Sequence, residues 1–134
     1  MDRVFLDANV LFSASYKSTS GLRRLWKLAH EGKVILITSS YAVEEARRNL
    51  SGATRLTALE RLLRLLEIGP GPSSPGLQPG AHNLPAKDIP ILQAAISMKA
   101  THLVTGDFTH FGSLYGKKIE GVVIISPGEY LRGR

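Results

Sequence analysis

Four short apolar runs constrain the chain most: VFL at 4–6, VILI at 34–37, LV at 103–104 and GVVII at 121–125. Each is too short for a helix, and each lacks the polar alternation of a strand with one wet face. They read as strands covered on both sides. The stretches between them carry helical spacing instead. GLRRLWKLAH (21–30) puts Leu22, Leu25 and Trp26 on one side and Arg23, Arg24 and Lys27 on the other. YAVEEARRNL (41–50) and the leucine stripe of Thr54 to Glu67 follow the same period, and DIPILQAAISMKA (88–100) opens with an aspartate and has Pro90 in its first turn. Strands separated by helices give right-handed βαβ units, hence a three-layer α/β/α sandwich around a mostly parallel sheet. At 134 residues the chain is expected to form one domain spanning 1–134.

The run from Gly69 to Pro85 holds five of the seven prolines and reads as a long surface loop within that domain. No cysteine is present, which excludes disulfides and thiolate metal sites. No apolar run approaches membrane length and no secretory signal pattern precedes the first strand, so a cytoplasmic protein without a membrane partner is expected. Seventeen Lys and Arg against eleven Asp and Glu leave a net charge of +6, which favours a polyanionic partner.

The acids fall at informative places. Asp7 ends the first apolar run, Asp107 follows Leu103-Val104, and Asp88 opens the helix leading into that strand. In an open α/β sheet all C-terminal strand ends share one edge, and ligands bind there where the strand order reverses. If the strands before Asp7 and Asp107 are neighbours, the two carboxylates converge. Glu44 and Glu45 lie one turn into a helix that starts at the same edge. Ala42, Val43, Ala46 and Leu50 mark that helix's buried face, so Glu45 borders it, whereas Glu44 points outward toward Arg47 and Arg48. Two carboxylates about 5 Å apart repel by roughly 3 kcal/mol at an effective dielectric near 20. Four such groups therefore need protons, basic side chains or a divalent cation. With only oxygen ligands and no well-placed histidine, a hard ion such as Mg²⁺ or Mn²⁺ suits them better than zinc.

Four segments, VFLDANVLFSA, TSSYAVEEARRNL, KDIPILQAAI and THLVTGDFTHF, together resemble the PIN-domain ribonucleases, especially small VapC-like toxins of toxin–antitoxin systems. The resemblance covers nearly the whole chain outside the Pro/Gly-rich loop. It implies a metal-binding, catalytic quartet at Asp7, Glu45, Asp88 and Asp107, with the extra Glu44 leaving the helical acid open by one residue. It also implies Mg²⁺- or Mn²⁺-dependent hydrolysis of RNA, orienting or substrate-binding roles for Asn9 and Thr105, a habit of forming homodimers, and a small antitoxin protein as partner. Lys17, Arg23, Arg24 and Lys87 are candidate contacts to the RNA backbone.

Plainer readings exist for each residue: Asp7, Asn9 and Asp88 as helix caps, Asp107 as a turn residue, Glu45 as a surface residue, the basic side chains as solvated charges. For Asp88 the expected cap donor is the Ile91 N–H, because Pro90 has none. His30, His82, His102 and His110 show no ligand spacing, and no chemistry is assigned to them. The alternative function is a PIN-like RNA-binding or scaffold protein that does not catalyse. A nucleotide-binding or receiver domain fits less well, since no Gly-rich phosphate loop follows the first strand.

Overall fold

A computed structural model of the chain describes residues 1–17, 20–70 and 83–134. Its elements run β1 (Asp2–Leu6), α1 (Ala8–Tyr16), α2 (Arg23–His30), β2 (Val34–Ser39), α3 (Ser40–Asn49), α4 (Ala53–Leu63), β3 (Glu67–Gly69) and α5 (Ile89–Ser97), then β4 (His102–Val104), α6 (Phe108–Phe111), β5 (Lys118–Ile119), β6 (Val122–Ile125) and α7 (Pro127–Leu131). The six strands form one sheet in the order β3-β2-β1-β4-β6-β5. Every pairing is parallel except β5 with β6.

β1 lies inside the sheet, with Phe5 opposite Ile37 of β2 and Leu103 of β4. Successive side chains of a strand point to opposite faces, yet Val4, Phe5 and Leu6 are all 0% exposed. Both faces are therefore covered by helices, as the unbroken apolar run requires. β2 keeps this character except at Ile35, which is 38% exposed against the expectation of full cover. Among the described residues β3 flanks β2 only from Ile37 to Ser39 and does not reach Ile35.

The helix expected over Thr54 to Glu67 ends earlier, at Leu63. Leu65 and Leu66 extend the leucine spacing, but Glu67, Ile68 and Gly69 pair with β2 as an edge strand, held by a 2.6 Å ion pair from Arg3 to Glu67. The loop expected from Gly69 thus begins with the last residue of a strand, and its residues 71–82, including His82, lie outside the described residues. The β5–β6 hairpin turns on Glu120 and Gly121, both at positive φ (49° and 86°), the conformation of a two-residue type I′ turn.

Trp26 of α2 is 6% exposed and donates its indole N–H to the Leu62 carbonyl at 2.9 Å. That carbonyl belongs to the last turn of α4, where no backbone donor follows within the helix. Trp26→Phe should strand it and cost about 1–3 kcal/mol. The expected result is a lower urea midpoint at unchanged slope, and an unaltered midpoint would show that the bond contributes nothing.

Candidate metal centre

The chain leaves β1, builds β2 and β3 on one side, then crosses back to lay β4 on the other side of β1. The strand order therefore reverses between β1 and β4, which sets the crevice at their C-terminal ends. Asp7 follows β1 directly and caps α1, its Oδ1 accepting the Ala8 N–H at 2.6 Å. Thr105 and Asp107 follow β4. A cleft of about 460 Å³ opens there, lined by Asp7, Asn9, Glu45, Lys87, Asp88 and Asp107. All four candidate acids reach it.

Asp7 is 3% exposed and held on every side. Its Oδ2 accepts from the Thr105 hydroxyl at 2.8 Å and from Asn9 Nδ2 at 3.0 Å. The Thr105 hydroxyl accepts in turn from the Asp107 N–H at 3.1 Å and from Asn9 Nδ2 at 3.3 Å, so its single donor and both lone pairs are used. Asn9 Oδ1 takes the Gly106 N–H at 2.7 Å. A Cβ on Gly106 would stand 3.3 Å from that same oxygen, so only glycine leaves the loop its present fit. Asn9 and Thr105 thus tie the ends of β1 and β4 together and fix the Asp7 carboxylate. Burial pushes the Asp7 carboxyl up to about 6, against the lowering effect of its Thr105 and Ala8 bonds; the Glu45 and Asp88 carboxylates add to the rise.

Asp88 sits at the N-cap position of α5 but does not cap it: no side-chain cap bond forms, and the Ile91 N–H goes to the Asp88 backbone carbonyl at 3.2 Å. The expected cap from Ile91 is therefore absent. The loop before α5 is held by the Tyr41 hydroxyl, which donates to the Lys87 carbonyl at 2.7 Å. The Asp88 carboxylate is buried, with Oδ2 lacking any hydrogen-bond partner. Burial raises its pKa, partly offset by His110, with Asp107 pushing upward again.

Glu45 lines the cleft while Glu44 faces outward, paired with Arg47 at 2.7 Å; Arg47 also reaches Glu60 of α4 at 2.8 Å. Of the basic candidates, Lys87 lines the cleft. Lys17 is exposed past the end of α1, Arg23 donates to the Ala14 carbonyl at 3.0 Å, and Arg24 reaches the Arg134 carbonyl. The structure does not bring Arg24 to the cleft.

His110 corrects the sequence reading, which found no well-placed histidine. Its Nδ1 lies 2.8 Å from Asp88 Oδ2 and 2.8 Å from Asp107 Oδ2. The cause is local: Asp107 caps α6 by accepting the His110 N–H at 3.1 Å, and that cap brings residue i+3 back over the carboxylate. The visible signal is an aspartate shortly after a strand with a histidine three residues on. One ligand atom from each of Asp88, Asp107 and His110 falls within 4.8 Å of the others, spacing that one cation can bridge. Carboxylate oxygens, an orphaned buried oxygen and a single imidazole form a donor set that fits a divalent ion.

Two solved structures share this architecture. VapBC2 from Rickettsia felis, bound to a DNA fragment from its promoter, aligns with a TM-score of 0.66 at 20% identity, over 92% of this chain and 98% of that one. The PIN domain endonuclease Utp24 aligns with a TM-score of 0.57 at 18% identity, over 92% and 84% of the respective chains. No curated protein sequence matches the chain. The sequence profile of the PIN domain matches residues 3–109. The chain belongs to the PIN domain family, and its fold is the mostly parallel α/β/α sandwich of that family.

Proposed function

We propose that the protein is a metal-dependent endoribonuclease of the toxin type, using Asp7, Glu45, Asp88 and Asp107 to hold Mg²⁺ or Mn²⁺. The observation that carries this is the meeting of four acids at the reversal of strand order, one of them a buried carboxylate that forgoes its capping role. Membership of a nuclease family and likeness to a PIN domain endonuclease support it. With four of eleven acids gathered in one cleft together with Lys87, the other sixteen Lys and Arg are offset by only seven acids, a surface suited to a polyanion.

When bound, a divalent ion supplies positive charge against a phosphate oxygen and acidifies water. The chain's own share is orientation. Asn9 and Thr105 hold Asp7 in one rotamer, the Asp107 N–H is fixed by Thr105, and Lys87 stands where a backbone phosphate would enter. RNA as substrate, a small antitoxin protein as partner and a homodimeric state follow from the family resemblance, and the likeness to VapBC2 supports the toxin-type reading. No described helix is long and apolar enough to cross a membrane.

Purified protein should cut RNA in Mn²⁺ and stop on adding EDTA. Glu45→Gln should reduce cleavage about a hundredfold or more, the scale of losing charge stabilisation of a transition state. Glu44→Gln should leave it unchanged, because Glu44 faces away from the cleft and pairs with Arg47. Undiminished cleavage by Glu45→Gln, with the loss appearing in Glu44→Gln, would transfer the role to the neighbouring acid. Full activity in both variants and in Asp107→Asn would refute the quartet.

A further inference from the structure

We infer that His110 is itself a ligand, donating Nδ1 to the ion shared by Asp88 and Asp107, and that this nitrogen favours Mn²⁺ over Mg²⁺ in the cleft. The inference rests on the divalent-ion reading above and goes beyond it, since that reading assigns only carboxylates.

The first argument is spacing. An octahedral ion with bonds of about 2.1 Å holds neighbouring ligand atoms roughly 3 Å apart. His110 Nδ1 stands 2.8 Å from one oxygen of each carboxylate. The second argument is direction. At 2.8 Å an imidazole N–H aimed at a carboxylate would be a strong hydrogen bond, yet His110 Nδ1 and Asp88 Oδ2 are both buried with no hydrogen-bond partner. Buried atoms this close with no hydrogen bond of normal geometry between them are placed like ligands of a common third atom. An imidazolium acting as counter-charge would instead align its N–H with an oxygen.

The third argument is how the carboxylates are used. Asp107 spends Oδ1 on the His110 N–H, leaving Oδ2 for the ion. The Asp88 side chain is 6% exposed, and its Oδ2 has no backbone donor despite standing at a helix N-terminus. A buried carboxylate oxygen left without a donor carries an uncompensated desolvation cost, which a cation would remove. Imidazole is a borderline ligand that Mn²⁺ accepts readily, whereas Mg²⁺ selects oxygen.

The test is pulsed electron paramagnetic resonance on the full chain loaded with Mn²⁺. The expected result is ¹⁴N modulation in the unaltered protein and none in His110→Gln or His110→Asp at saturating Mn²⁺, the second variant retaining an oxygen ligand and hence the ion. Competition between Mn²⁺ and Mg²⁺, read by the signal of free Mn²⁺, should show the preference for Mn²⁺ falling about tenfold or more in His110→Gln, the scale on which altered ligation changes metal affinity. Bound Mn²⁺ without nitrogen coupling, or coupling that survives both substitutions, overturns the inference and leaves the carboxylate site standing. Mn²⁺ that stays entirely free overturns both readings.

Discussion

Asp7→Asn should make the metal-free protein more stable at pH 7.5 while abolishing RNA cleavage. The Asp7 carboxyl is raised from 3.8 to about 6 by burial. The folded state therefore binds this proton more tightly than the unfolded chain, and the contribution of Asp7 to stability is greatest below about pH 4, declines between about pH 4 and 6, and is level above. At neutral pH the penalty for holding the charge is roughly 3 kcal/mol at 1.36 kcal/mol per pH unit. Asparagine carries no such charge. With its amide oxygen kept on the Ala8 N–H, its Nδ2 faces Asn9 Nδ2 donor to donor and meets a Thr105 hydroxyl whose lone pairs are already used, so both bonds are lost, at about 1 kcal/mol each. The net gain expected is about 1 kcal/mol at pH 7.5, reversing by about pH 4, where the folded carboxyl is protonated and the unfolded one is close to half so. Urea unfolding of both proteins in EDTA at the two pH values measures it, the difference reporting Asp7 together with its repulsion of Glu45 and Asp88. A variant less stable at both pH values would mean that the carboxylate is a structural anchor whose charge the fold already satisfies.

The second large effect concerns the cation. An ion that binds only the folded state at a hundred times its dissociation constant adds about 2.7 kcal/mol. For a domain of this size that raises the melting temperature by roughly 8–13 °C. Thermal melts with Mn²⁺ against EDTA should show a rise of that order, together with a much smaller one in Asp7→Asn, where one charge of the cluster is missing. A melting temperature indifferent to Mn²⁺ at millimolar levels would remove the cation from the description of this cleft, and with it the reason for its four acids.

Much of this was legible in the sequence, for identifiable reasons. The apolar runs at β1, β2, β4 and β6 lack polar alternation, and that single property dictates strands covered on both faces. Glu45 could be separated from Glu44 because Ala42, Val43 and Ala46 define the buried face of α3, and the angle per residue does the rest. What was not legible depends on contacts between distant segments. The adjacency of β1 and β4 is decided by how the whole sheet packs, so the meeting of Asp7 with Asp107 could be stated only as a condition. β3 is three residues long, exposed at Glu67 and Ile68, and continuous with a leucine stripe that reads as helix; its position is fixed partly by Arg3, sixty-four residues earlier. His110 was missed because its place follows from Asp107 acting as a cap, and a cap cannot be assigned before the short helix it begins is known. In the β5–β6 hairpin Gly121 suits positive φ but Glu120 does not announce it, and β5, only Lys118 and Ile119, is too short to be read as a strand, so the hairpin was not legible although β6 was.

The bond from the Thr105 hydroxyl to Asp7 spans 98 positions, and its consequence reaches back to the moment of synthesis. A growing polypeptide that has emerged only as far as α5 owns Asp7, Glu45 and Asp88 but nothing to clamp them, for β4 and the residues after it are still to be translated. An incomplete product therefore has three of the four cleft acids without the bonds that hold Asp7 in place. The assembled cleft arrives late, all at once, when the segment from His102 onward closes against the first strand.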